Sequence, residues 1–338
     1  MSLNRNIFLI FFLIFSVLSS NAQNVFSHEK EITPEIDFSF SEINFHNSHD
    51  NLWLSGTLIT PKTDYKKIVV IVPGSGKDTR NSHYKLTKKL LKNNIAVYRF
   101  DERGVGKSEG KFTSNILNLT HDVAFAINHL KSVDTYQDKQ IGLLGHSLGG
   151  MAAVTAYTIL PKSQVDFLIQ IASPVKNFAD ASKYQIKTLE QYQIKNKTYL
   201  ETINLLDTLL YITHQNKNLN ITDTKLRNKG LDAIKLKGFN INDVNFWSNT
   251  HINLFKEDYE IAYKTLKIPT IYIIGSNDQY INPLAEVKRL KNYNNPYITV
   301  KVISNLNHYL TSGTLTNSML YNIDKRASDT ILNWIEKI

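Results

Sequence analysis

The sequence predicts an α/β protein built on a mostly parallel eight-stranded sheet with helices on both faces, and three observations carry that prediction. Short apolar, β-branched runs recur along the chain, helical stretches separate them, and one long region without strand character interrupts the alternation. Strands covered on both faces lose the polar alternation of a half-exposed sheet, and parallel neighbours need a crossover that a helix supplies.

Asp37 to Phe45 and Leu52 to Thr60 alternate apolar and polar residues around the turn residues Asn47 to Asn51, which predicts a hairpin. Ile68 to Val72 is a β-branched strand ending at Pro73-Gly74, followed by a helix near Tyr84 to Leu91 and a strand at Ile95 to Phe100. A helix near Leu119 to Val133 sets Val123, Ile127 and Leu130 on one face, and a strand follows at Gln140 to Leu144. Helix Leu148 to Leu160 and strand Asp166 to Ala172 continue the order. From Phe178 to Lys267 the chain is rich in Asn, Lys, Gln and Tyr and reads as helices alone, an inserted cap. The strand pattern resumes at Ile268 to Ile274, with a helix near Pro283 to Lys291, a strand at Tyr297 to Ile303 and an amphipathic helix at Arg326 to Ile335.

With 338 residues the chain exceeds the usual size of one compact domain, so a large insertion is expected. The core is assigned to residues 23–173 and 267–338 and the cap to 174–266. Residues 1–22 read as an export signal: Arg5 supplies the positive start, Ile7 to Leu18 the apolar run, and Ser20, Asn21 and Ala22 the small residues before a cut. A run of about a dozen apolar residues falls short of the roughly 20 that span hydrocarbon, so no stable membrane span is expected after processing, and a periplasmic or extracellular location is. The chain has no cysteine, which excludes disulfides and a thiolate nucleophile. Its formal charge of +9 is spread among acidic residues rather than concentrated, so no nucleic-acid partner is expected.

Gly145-His146-Ser147-Leu148-Gly149 fits G-x-S-x-G and stands where the motif requires it, directly after a strand and opening an apolar helix. A serine in so tight a turn adopts a strained backbone, flanking side chains would clash, and the turn lifts the hydroxyl toward the positive end of the following helix. Ser147 is therefore the candidate nucleophile. A serine hydroxyl needs a base, and around such elbows the chain order runs Ser, acid, His. Of ten histidines only His308 follows the last strand, in the polar loop Asn305 to Tyr309. His251 is the nearest rival but precedes the candidate acid. That acid is Asp278, just beyond the strand Ile268 to Ile274; Asp258 and Asp166 are poorer choices, in the cap and at a strand entry.

An oxyanion needs two backbone N–H donors. Leu148 after the nucleophile is one, and Ser75 or Gly76 in Pro73-Gly74-Ser75-Gly76 is the other. Neither that loop nor Gly104-Val105-Gly106-Lys107-Ser108 completes a phosphate-binding G-x-x-x-x-G-K-[ST], so nucleotide binding is not expected.

Val72 to Gly76, Arg99 to Ser108, Gly145 to Gly150 and the late Asp278 and His308 together resemble the α/β-hydrolase superfamily over nearly the whole chain after the signal. Asp101 to Ser108 is similar to that family's D-x-R-G-x-G-x-S loop, which implies structural roles for Asp101 and Arg103. Within the family the chain most resembles bacterial exported acyl hydrolases related to serine aminopeptidases and monoglyceride lipases. That resemblance implies hydrolysis of a small carboxylic ester through an acyl-enzyme, with no metal or organic cofactor. The oxyanion loop departs from the commoner form, which begins His-Gly. A rival reading is an aminopeptidase or amidase on short peptides, with Glu190, Glu201, Glu257 or Glu260 holding a free amine. A rival from another class is a binding protein that keeps the fold without catalysis; such chains generally lack a triad member, and all three candidates are present here. Tyr184, Tyr192, Tyr199, Phe239 and Phe246 are expected to pack the cap more than to line a pocket.

Overall fold

The computed structural model describes residues 37–219, 224–316 and 320–338. The expected export signal lies outside them. Eight strands form one sheet: β1 (Phe38–Asn47), β2 (Leu52–Pro61), β3 (Lys67–Val72), β4 (Ile95–Phe100), β5 (Gln140–His146), β6 (Phe167–Ile171), β7 (Thr270–Gly275) and β8 (Ile298–Ile303). Their spatial order is β1-β2-β4-β3-β5-β6-β7-β8. β1 pairs antiparallel with β2 and β2 with β4, while every other pairing is parallel. This is the sheet that the sequence predicts, with strand ends within a few residues of the expected ones.

Burial explains the pattern. β3, β4, β5, β6 and β7 are buried along nearly their whole length, so both faces must be apolar, whereas β1 at one edge exposes half of its residues. Helices α1 (Tyr84–Leu91), α2 (Ile116–Ser132) and α3 (Leu148–Ile159) supply the early crossovers. α2 starts at Asn115, whose side chain accepts the Leu117 N–H, a cap of the sort that stabilises a helix by about 1 kcal/mol. α3 has almost no polar face because it is buried between the sheet and its neighbours.

Between β6 and β7 the described residues form helices and no strand, the longer helices being α4 (Phe178–Thr188), α5 (Tyr199–Gln215), α6 (Thr224–Leu236), α7 (Asn249–Lys256) and α8 (Glu260–Thr265). Most of this segment packs on a hydrophobic cluster of its own that includes Leu205, Leu206, Leu209, Phe239, Phe246 and Trp247. Phe239 and Phe246 thus serve the packing role expected of them, while Tyr199 is 44% exposed and Tyr184 turns toward the sheet. A capping box at Thr198 and Glu201 starts α5. Helices α9 (Pro283–Tyr293) and α10 (Lys325–Ile335) complete the fold. Among the described residues no helix is long and apolar enough to cross a membrane.

Candidate active site

The carboxyl ends of β3, β5, β7 and β8 lie along one edge of the sheet, and the loops leaving them carry all the candidate residues. Ser147 stands between β5 and α3 with φ 54° and ψ −118°, a conformation that L-residues adopt only when the surroundings enforce it. The enforcement is visible. Its N–H donates to the Ile171 carbonyl on β6 at 2.8 Å, and its own carbonyl accepts from the Gly150 N–H at 3.0 Å.

The glycines permit close approach. A Cβ at Gly149 would lie 2.1 Å from the Pro73 carbonyl oxygen, and one at Gly145 would lie 2.4 Å from the Gly150 Cα. Gly150 belongs to the same set, since a Cβ there would meet Gln170 and Ser173 within 2.6 Å. Ser147 itself is half-buried and so open to a small molecule. Leu148 opens α3, where a first-turn N–H has no helical acceptor.

Asp278 and His308 come together as expected. The Asp278 carboxylate is 1% exposed; Oδ1 accepts the N–H groups of Tyr280 at 2.7 Å and Ile281 at 2.9 Å. That leaves Oδ2 to face His308 Nδ1 at 2.8 Å. A carboxylate only accepts, so Nδ1 carries the proton and Nε2 of the neutral ring is left with the basic lone pair. The His308 loop is braced by Asn307, whose amide donates to Thr311 Oγ1 at 2.8 Å and accepts the N–H groups of Tyr309 and Thr311. Among the described residues no hydrogen bond joins the Ser147 hydroxyl to His308; contacts of this type often tighten only when substrate is bound.

What links the Ser147 turn to the His308 loop is His146, the middle residue that the motif leaves free. Its Nε2 donates to the His308 carbonyl at 3.1 Å, and its ring lies 5.0 Å from that of His308 and 4.6 Å from Tyr309. Burial, then the neighbouring His308 and His83, hold the His146 pKa well below its ordinary value, so the ring is neutral.

The loop after β3 packs against this turn. A Cβ at Gly74 would lie 3.9 Å from the Ser147 Cβ, so Gly74 runs beside Ser147. Beneath the loop is a buried acidic pair that sequence reasoning missed. Burial raises the Asp78 carboxyl to about 6, against hydrogen bonds from Tyr321 and the Gly74 backbone that lower it. Tyr321 donates its hydroxyl to Asp78 Oδ1. Burial, then the charge of Asp78, raises Glu102 well above its ordinary value. The sequence offered a signal here, an Asp two residues past a glycine-rich turn and a Glu inside the D-x-R-G loop, but neither discloses burial.

The other weighed residues have different employment. Asp101 accepts from the Arg80 side chain and from the Lys107 N–H at 3.0 Å, and Arg103 donates to Asp122 and Asp50, so both shape the loop after β4. His251 pairs with Ser248 at 2.8 Å among the helices between β6 and β7. Asp166 accepts the Ile141 N–H at 2.7 Å and Asp258 the Glu260 N–H at 2.8 Å. Glu201 is held by Thr198 and Lys197, Glu260 by Lys264 and Lys176, and Glu190 is exposed. Glu257 is half-buried, with its pKa raised by burial. From α4, Tyr184 donates its hydroxyl to the Asp278 carbonyl at 3.0 Å.

Comparison with known proteins agrees with this fold. Residues 63–313 match the family described as serine aminopeptidase, S33. No significant match is found among curated protein sequences. Among solved structures, a hypothetical protein from Pseudomonas aeruginosa superposes with a TM-score of 0.60 at 13% identity, over 92% of this chain and 97% of the other. An esterase from Pyrococcus furiosus gives 0.57 at 17% identity over 91% and 94%. A thermophilic esterase from Thermogutta terrifontis, with malate bound, gives 0.53 at 16% over 88% and 98%. At such identities the likeness speaks for the fold, the α/β-hydrolase fold.

Proposed function

Because this chain belongs to the serine aminopeptidase family, S33, and is thereby an α/β hydrolase, we propose that it cleaves small carboxylic esters through an acyl-enzyme with Ser147 as nucleophile. The observation that carries the reading is the strained Ser147 at the end of β5 on the same sheet edge as the buried Asp278–His308 pair. In the proposed reaction the Ser147 Oγ attacks the carbonyl carbon while His308 Nε2 takes its proton. Asp278 stabilises the imidazolium, and the N–H groups of Leu148 and of Ser75 or Gly76 bind the oxyanion, where losing one donor typically costs about 3 kcal/mol. The tetrahedral intermediate collapses, the alcohol leaves with the proton from His308, and water activated by the same ring releases the acid and restores Ser147.

The family name favours a second reading, cleavage of an amino-terminal residue from a short peptide. That reaction calls for a carboxylate to hold the free amine. Glu201 and Glu260 already face lysines and Glu190 faces solvent, which supports the ester reading; Glu257 is the carboxylate left for the amine. Short aryl esters assayed against amino-acid anilides, with the intact chain and with Ser147→Ala, separate the two. Ester turnover abolished by Ser147→Ala is expected; faster anilide turnover would select the peptidase, and labelling of neither by a fluorophosphonate probe would point to a binding protein. The apolar Ile7 to Leu18 run further supports export with cleavage after Ala22, which N-terminal sequencing of the mature chain tests.

A further inference from the structure

On the antiparallel flank of the sheet, at the turn between β1 and β2, three metal-ligating side chains meet. His49 and Asp50 come from the turn and His121 from α2, and each places one ligand atom within 4.8 Å of the other two. The two imidazole rings are 4.2 Å apart. His49 Nδ1 lies 2.9 Å from Asp50 Oδ1, while His121 Nδ1 is buried with no hydrogen-bond partner. An unpaired buried ring nitrogen beside a second imidazole and a carboxylate is a costly arrangement with nothing to accept or donate.

The turn is held in place from beneath. The Asn47 side chain, fully buried, accepts the N–H groups of His49 at 3.0 Å and Asp50 at 3.2 Å and donates to Asp122 Oδ1 at 2.6 Å. Arg103 bridges Asp122 and Asp50, donating to Asp50 Oδ2 at 2.8 Å. Outer contacts of this type orient metal ligands, and here they leave Asp50 Oδ1 and the two rings turned toward one another.

We propose that His49, Asp50 and His121 form a binding site for a divalent transition-metal ion, with zinc the ion whose chemistry fits best. Two imidazoles and one carboxylate suit zinc, nickel or copper and are poor for calcium, which takes six or more oxygens. Bonds of about 2.1 Å require the ligand atoms to draw in from their present spread. The exposed His49 can make that movement, exchanging its contact with Asp50 for a bond to the metal. Water completes the coordination. The bound ion would fasten the β1–β2 turn to α2, and the guanidinium of Arg103 on the far carboxylate oxygen tempers its affinity. The site is apart from Ser147, Asp278 and His308, and the proposed reaction does not pass through it.

The test uses the whole chain stripped with a chelator and titrated with zinc chloride by calorimetry, alongside thermal unfolding at several zinc concentrations. One zinc per chain is expected, with a midpoint that rises with zinc concentration by mass action. His121→Ala and His49→Ala should each weaken binding at least tenfold and abolish the thermal shift, with ester turnover in the absence of metal unchanged; calcium should do nothing. His49 is on the surface, so its variant will fold even if the His121 variant does not. Absence of one-to-one zinc binding overturns the proposal. So does zinc binding that survives both substitutions, or that is lost only with His308→Ala, which would place the ion at the nucleophile.

Discussion

His146 donates from Nε2 to the backbone carbonyl of His308 at 3.1 Å, so the residue before the candidate nucleophile carries the loop that holds the candidate base. With Nε2 protonated, Nδ1 is the bare nitrogen, and it is buried without a partner. His146→Phe keeps the ring packing and removes the donor. A buried carbonyl left unpaired costs about 1–3 kcal/mol, and the His308 loop gains freedom. The expected outcome is a fall in kcat larger than any change in KM, with His146→Gln, which can still donate, recovering part of the loss. Unchanged kcat in a folded His146→Phe chain would separate the contact from catalysis.

The second prediction concerns Asp278. Both of its oxygens are committed, Oδ1 to two backbone N–H groups and Oδ2 to the ring. Asparagine can satisfy the backbone donors with its carbonyl only by aiming its NH₂ at His308 Nδ1, which forces the other tautomer and removes the lone pair from Nε2. Triads altered in this way lose roughly 10⁴-fold in kcat. Ester turnover by Asp278→Asn should fall by that order while the fold persists by circular dichroism.

Two glycines that look alike in sequence should respond differently. Gly149→Ala would put a methyl 2.1 Å from the Pro73 carbonyl oxygen, a backbone atom that cannot step aside, so the elbow must open and activity should be lost along with several degrees of Tm. At Gly76 the nearest atom to an added Cβ is Asp78 Oδ1 at 3.9 Å, and the backbone is not in the left-handed region. Gly76→Ala should keep its stability and much of its turnover, because a backbone N–H donor survives the change.

The contrast shows what the sequence could and could not convey. Strands β3 to β7 were legible because complete burial leaves a simple mark, an unbroken apolar run, and Ser147 because its strain demands glycines at fixed spacing. Asp278 and His308 were legible from chain order, each being a polar residue just past a strand end. His146 was not, since a motif position written as x constrains nothing, and its role depends on a carbonyl 162 residues away. Asp78, Glu102 and Tyr321 were hidden for a similar reason: they are distant in sequence, and their burial arises only when the loops after β3 and β4 and the approach to α10 pack together. Tyr184 read as packing, yet it reaches the acid loop because α4 folds back over the sheet edge.

That buried acid pair yields the last prediction. Asp78 titrates at about 6 in the fold and near its ordinary value of 3.8 when unfolded. The folded chain therefore holds the proton over a range where the unfolded chain has released it. The stabilising contribution is complete below the unfolded value and is lost as the pH rises through the folded one. Two pKa units correspond to about 3 kcal/mol. Asp78→Asn imitates the protonated acid, keeps an acceptor for the Tyr321 hydroxyl and removes the titration. Its stability relative to the natural chain should therefore rise from about pH 4 to about pH 7, approaching that magnitude, while Glu102, relieved of the neighbouring charge that raises its pKa, gives up its proton more readily than in the natural chain. Urea unfolding of both chains across that range measures the difference. A constant offset between the two curves would show that Asp78 does not titrate between these limits.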